Sequence, residues 1–377
     1  MPSVQDPGRS DVRWDVFCRV VDNYGDAGVC WRLARQLAAE HALGVTLWID
    51  RLATLARFEP SVDERLDMQA AAGVGVRRLD DDAAAPALPD TVVEGFGCGL
   101  PPPYLAAMAQ ANSPPLWINL EYLSAEPWID TAHALESWHP QLHLARHFWF
   151  PGFTPKTGGL IRERRLFAAR DAWRAQMPKH AGALRIVLFC YPNRALPALF
   201  DAWAEGDEAI RCIVPEGVAT AALDRWLRGN VLHAGQSATR GRLTLDVVPF
   251  TTQDGFDRML WSADVSFVRG EDSFVRAQWG ARAFVWQPYP QDNDAHRLKL
   301  DAFLARYADG LGSREQRALI AFWQAFNRED GDAAAAAWPS FRAAIRAYEA
   351  HGRRWADALA ARPDLATAMV DFRRARL

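Results

Sequence analysis

Cysteine is sparse in this chain: five in 377 residues, at positions 18, 30, 98, 190 and 212, with no CxxC pair among them. An odd, scattered set builds neither a disulfide framework nor a zinc ribbon. It reads as buried thiols in a reducing, cytoplasmic compartment. Neither sign of charge is in excess, with 43 Lys and Arg against 46 Asp and Glu. Bulk charge therefore calls for neither nucleic acid nor an anionic membrane surface. Apolar runs fall well short of the roughly 18 residues that a transmembrane helix needs. The stretch Met1 to Arg13, with Pro2, Asp6, Pro7 and Gly8, lacks an apolar core and reads as a frayed tail rather than a signal peptide. No GxGxxG follows the first apolar run, which argues against a nicotinamide-dependent oxidoreductase.

What is present is a large core. Half the residues are hydrophobic, a quarter are charged, and sixteen are tryptophan. At about 150 residues per domain the length suggests two or three domains. Short β-rich runs alternate with helical stretches, the pattern of parallel βαβ units. In the first half the strands are Val16 to Cys18, Val45 to Asp50, Val74 to Leu79, Thr91 to Gly95 and Leu116 to Leu120. Residues 51–72 are expected to be helical. A Pro- and Gly-rich break from Phe148 to Leu160, a basic helix over Ile161 to Gln176, and Pro178 to Gly182 read as a boundary. The arginines of that helix are expected on a solvated face. A second series follows, with strands at 184–191, 210–214, 243–250, 265–268 and 283–286, and the chain is helical from about Ala295 onward.

Two strand-to-helix turns carry the chemistry. The first is Asp22-Asn23-Tyr24-Gly25-Asp26, after the first strand. Carboxylates there would repel a pyrophosphate, so the loop suits a cation, a hydroxyl or a proton transfer. Both aspartates also suit helix capping, and spacing alone leaves the two readings level. The second turn is Arg269-Gly270-Glu271-Asp272-Ser273. A helix start with a Ser hydroxyl, helped by Arg269 and Arg276, suits a phosphate. A glutamate beside it suits ribose hydroxyls. An ordinary capped helix is the plainer reading. Phe189 and Tyr191 can stack a nucleobase or fill a core, and Gln253 and Phe256 stand at another strand exit. Two patterns are set aside as metal sites. Asp80 to Asp82 is a short acidic run in a Pro/Ala-rich loop, and His139, His143 and His147 would share a helix face but for Pro140.

These runs resemble a known family, the bacterial protein-arginine rhamnosyltransferases that modify translation elongation factor P, called EarP. The resemblance covers nearly the whole chain. It is carried by Asp22 to Gly28 with Trp31 to Arg35, by Asn119-Leu120-Glu121-Tyr122-Leu123-Ser124, by Phe150 to Thr154 with Thr157 to Leu160, and by Arg269 to Gln278. It implies an α/β fold of the GT-B glycosyltransferase class, two Rossmann-like domains facing across a cleft. Residues 1–155 with 363–377 would form an acceptor-binding domain, 156–182 a linker, and 183–362 a nucleotide-sugar domain. It further implies dTDP-β-L-rhamnose as donor, an arginine of elongation factor P as acceptor, and no cofactor or metal. Asp26 and Asp22 match the essential aspartates. Phe189, Tyr191, Gln253, Phe256, Glu271, Asp272 and Ser273 match donor-site positions.

The expected reaction is a single displacement with inversion, Asp26 taking a proton from the guanidinium and Asp22 orienting or sharing the cation. Two alternatives stand beside it. One is a GT-B transferase using another nucleotide sugar on a non-protein acceptor; the other is a non-catalytic nucleotide-sugar-binding module.

Overall fold

The computed structural model describes residues 11–22, 24–84, 87–177, 182–291 and 294–376. Asn23, the tail before Asp11 and the Pro178 to Ala181 part of the expected linker lie outside them. The described chain divides into two compact units, one running up to Arg164 and resuming at Ala360, the other Arg165–Leu359.

The first unit is built on β1 (Arg13–Cys18), α1 (Gly25–His41), β2 (Gly44–Ile49), α2 (Leu52–Phe58), β3 (Met68–Ala71), β4 (Val74–Arg78), β5 (Thr91–Gly95), α3 (Pro102–Gln110), β6 (Leu116–Leu120), α4 (Ile129–Ala132), β7 (Glu136–Trp138) and β8 (Ala145–Trp149). The sheet order is β3-β4-β2-β1-β5-β6-β8-β7. The interior is parallel, with Val16 opposite both Leu47 and Val93. Strands covered on both faces read as continuous apolar runs, and β1 is buried from Trp14 to Cys18. Strand β5 lies close against β1. A Cβ at Gly95 would stand 2.7 Å from the Phe17 carbonyl oxygen and 2.8 Å from Cys30 Sγ, so only glycine fits.

The edges depart from expectation. The stretch 51–72 is not one helix: α2 ends at Phe58 and β3 pairs antiparallel with β4. The histidines share no helix face, since β7 and β8 form an antiparallel hairpin in which His147 pairs with Glu136 and His143 sits at the turn with φ +50°.

The second unit contains α5 (Leu166–Gln176), β9 (Ala183–Leu188), α6 (Leu196–Glu205), β10 (Ala209–Pro215), α7 (Thr220–Trp226), β11 (Ser237–Arg240), β12 (Leu243–Val248), α8 (Gln253–Ser262), β13 (Val265–Arg269), α9 (Asp272–Gly280), β14 (Ala283–Gln287), and the helices α10 (Ala295–Tyr307), α11 (Ser313–Asn327), α12 (Gly331–Ala343) and α13 (Ile345–Ala360). Its sheet runs β11-β12-β10-β9-β13-β14, parallel except for the edge strand β11. After α13 the chain returns to the first unit as α14 (Leu365–Arg374), whose Phe372 packs 4.9 Å from the Trp149 ring.

The described part of the expected linker divides between the two units. The piece up to Arg164 is bound to the first unit, where Gln36 donates to the Arg162 carbonyl at 2.9 Å. The arginines of α5 do not form a solvated face. Arg170 donates to the Trp279 carbonyl at 2.8 Å, and Arg174 donates to the Trp261 carbonyl at 3.1 Å and to the Gly280 carbonyl. They satisfy carbonyls left open at the C-terminal ends of α8 and α9, where cations are favoured.

Candidate active site

In each unit the chain begins at a central strand, moves outward on one side, then returns to the other side of that strand. The loops leaving the two strands at the reversal diverge and open a crevice at their carboxyl ends, the usual ligand position of such sheets. In the first unit the reversal lies between β1 and β5, so the Asp22 to Asp26 loop stands at it.

Asp26 is 2% exposed, in the first turn of α1. Its Oδ2 accepts the backbone N–H groups of Val21 and Asp22, both at 2.8 Å, and its carboxylate accepts the Tyr122 phenol. Asp26 therefore reaches back to fix the loop, while the helix-cap position belongs to Tyr24, whose side chain makes no cap bond. Burial pushes the Asp26 pKa up. The N–H and phenol bonds oppose the rise, and the nearby Asp50 charge adds to it. Asp22 is half-buried. Gly25 allows its carboxylate to fold over the helix start, since a Cβ there would lie 2.6 Å from Asp22 Oδ2. Tyr122 stacks on Phe96 with centroids 4.5 Å apart and planes 16° apart. Neither Tyr122 nor Phe96 was singled out as a site residue from the sequence; the only signal was the Asn119 to Ser124 run.

In the second unit the reversal lies between β9 and β13. The Arg269 guanidinium lies 4.5 Å from the Phe189 ring centre and 4.8 Å from that of Tyr191, and it donates to the Cys190 carbonyl at 3.0 Å. Phe189 meets Phe256 at 4.9 Å. Tyr191 packs edge-on to Tyr289, and its N–H donates to Gln287 Oε1 at 3.0 Å. Gln253 is buried at the start of α8, where the Thr252 hydroxyl accepts the Gly255 N–H at 3.1 Å. Glu271 occupies the cap position of α9 without a side-chain cap bond, and Asp272 is the first residue of that helix. Gly270, at φ +60°, makes the sharp exit from β13. Beside Arg269 opens a cavity of about 430 Å³, lined also by Cys190, Asn193, Gly217, Thr220 and Arg225.

Two side chains of this turn and its helix are engaged within the protein. The Ser273 hydroxyl accepts the Arg269 N–H at 3.0 Å and donates to the Arg269 carbonyl, so it closes the turn. Arg276 supplies no charge to a ligand: it is 2% exposed and gripped by Asp257. Asp81 pairs with Arg19 at 2.5 Å. Among the described residues no group of three or more His, Cys, Asp or Glu is placed to hold a metal ion. Nor is any helix among them long and apolar enough to cross a membrane.

Residues 14–374, and so both crevices, match the family described as "Elongation-Factor P (EF-P) rhamnosyltransferase EarP". The chain belongs to the EarP family. The protein-arginine rhamnosyltransferase of Pseudomonas putida is 46% identical over 96% of this chain and 98% of its own length. That of Pseudomonas aeruginosa is 42% identical over 95% and 98%. A solved EarP structure, described as "Structural basis for EarP-mediated arginine glycosylation of translation elongation factor EF-P", is 37% identical and superposes with a TM-score of 0.69, covering 97% of this chain and all of that one. The chain is accordingly a protein-arginine rhamnosyltransferase with a two-unit α/β architecture.

Proposed function

We propose that the enzyme transfers L-rhamnose from dTDP-β-L-rhamnose to one arginine of translation elongation factor P, in the reducing cytoplasm that its five free cysteines suit. Both the family description and the solved relative point to that acceptor. The first unit takes the arginine and the second takes the donor.

The observation that carries this reading is the state of Asp26. An arginine guanidinium holds its proton with a pKa above about 12 and is a poor nucleophile. A carboxylate can hold it by two N–H bonds and accept a proton as attack proceeds. Asp26 is held in one orientation, and burial makes it more basic than a free aspartate. Asp22 shares the cation. The guanidine nitrogen forms a bond to the anomeric carbon while the bond from that carbon to the diphosphate oxygen breaks. The proton passes to Asp26, dTDP leaves, and the anomeric centre inverts.

On the donor side, Phe189 and Phe256 provide faces for the thymine, with Tyr191 and Gln253 beside it. Glu271 accepts ribose hydroxyls. The N–H groups at the start of α9, which includes Asp272, meet the diphosphate, and Ser273 holds their turn in shape. With charge met by protein donors, the step calls for no cofactor or divalent metal.

The test is the intact mass of elongation factor P after incubation with enzyme and dTDP-β-L-rhamnose. A gain of one deoxyhexose, mapped to an arginine and abolished by Asp26→Asn, is expected. No gain from a folded enzyme that binds dTDP tightly would overturn the acceptor. Tighter binding of UDP or ADP than of dTDP would overturn the donor.

A further inference from the structure

We infer that Tyr122 is a positioning residue for the proton transfer, holding the Asp26 carboxylate in the orientation that meets the guanidinium proton. This rests on Asp26 being the proton acceptor.

An ionised carboxylate offers about four acceptor positions. Two on Asp26 are taken by the Val21 and Asp22 N–H groups, and a third by the Tyr122 phenol. Together these three donors fix the plane in which the carboxylate meets an attacking guanidinium. The backbone bonds come from the same loop as Asp26 and move with it. Tyr122 comes from beyond β6, so it ties that loop to a different part of the sheet.

Tyr122 is itself held. Its ring lies flat on Phe96, and the Phe96 N–H donates to the Leu120 carbonyl at 2.6 Å, joining the exits of β5 and β6. Phe96 adopts φ +57°, a conformation uncommon for a residue with a side chain. Here it turns the ring onto Tyr122. Among the described residues, the Asp50 carboxylate and the Cys18 thiol, which its bond with Cys30 and its burial keep neutral, also face Asp26.

A bond to an ionised group contributes enough that its removal costs about 10- to 100-fold. Tyr122→Phe keeps the ring and removes that bond. The expected result is a fall in kcat/KM of about that size, with dTDP affinity unchanged. A second readout separates positioning from general damage. The phenol stabilises the anion, so its loss raises the Asp26 pKa, and the acidic limb of the kcat/KM profile moves to higher pH. Phe96→Leu keeps the phenol but removes its flat support, and is expected to give a smaller fall with the limb displaced the same way. Unchanged kcat/KM and an unmoved limb in Tyr122→Phe would overturn the inference. An active Asp26→Asn would instead remove the reading beneath it, and the two failures are distinct.

Discussion

Arg276 and Asp257 form a two-point ion pair inside the second unit, with N–O distances of 2.9 and 2.6 Å and both side chains almost fully buried. The pair links α9 to α8 behind the Arg269 to Ser273 turn. Removing one partner leaves an uncompensated buried charge, a loss of about 3–5 kcal/mol. Arg276→Met and Asp257→Leu should each melt the second unit at markedly lower temperature in calorimetry. The double variant, which buries no charge, should recover much of the loss. A single variant as stable as the parent would show that the pair contributes nothing.

Arg269 stands at the crevice of the second unit, to which the proposed function assigns the donor. Stacked over Phe189 and Tyr191 and tied to the Cys190 carbonyl, it fixes both rings. Lysine keeps the charge but loses the planar stack. Arg269→Lys should weaken dTDP binding in calorimetric titration by about tenfold, the size of a cation–π contact with one hydrogen bond. The acceptor, which the proposed function assigns to the other unit, should keep its affinity. Equal dTDP affinity would remove Arg269 from the donor site.

Arg174 tests the revised role of α5. Burial among Arg282 and Arg170 pulls its pKa down to about 9, while its guanidinium still satisfies the Trp261 and Gly280 carbonyls. Arg174→Ala leaves two carbonyls unpaired at helix C-termini, a cost of about 1–3 kcal/mol. A lowered urea midpoint with normal donor affinity is expected. An exposed arginine, as the sequence pattern suggests, would give no change.

The parallel interior of both sheets was legible because buried parallel strands are continuous apolar runs: Val16 to Cys18, Thr91 to Gly95 and Leu184 to Leu188 all announce themselves. The antiparallel edges did not. Strand β3 contains the exposed Met68 and the chain around it reads as helix, because its pairing with β4 comes from a tertiary contact rather than from local pattern. At the sites, the Asp22 to Asp26 loop was legible from two carboxylates where a phosphate loop would have glycines. Tyr122 was not, since its bond to Asp26 spans the sequence from β1 to beyond β6. Arg170 and Arg174 were expected on a solvated face, and Arg276 as charge toward a ligand. Arg170, Arg174 and Arg276 meet carbonyls or a carboxylate brought in by the fold, and charge on a helix surface reads the same whether its partner is water or protein.

Asp26 also sets stability against function. Its folded pKa lies above its unfolded value because burial disfavours the anion. Between those two values the folded state holds the extra proton, so this group's contribution to stability is present at low pH and is lost as pH rises through the folded pKa. At neutral pH the buried anion is therefore a cost to stability, one that the proposed role as proton acceptor would explain. An amide in place of this carboxylate carries no charge and retains an oxygen for the Val21 and Asp22 N–H groups. Asp26→Asn should thus melt no lower than the parent at pH 7, with its relative advantage shrinking toward pH 4. Its kcat should fall by about 10²–10⁴, the range for loss of a general base. Melting curves at the two pH values, with turnover measured on the same preparations, check both halves. A variant that is inactive because it is less stable at pH 7 would assign Asp26 to holding the loop and leave the proton without an acceptor.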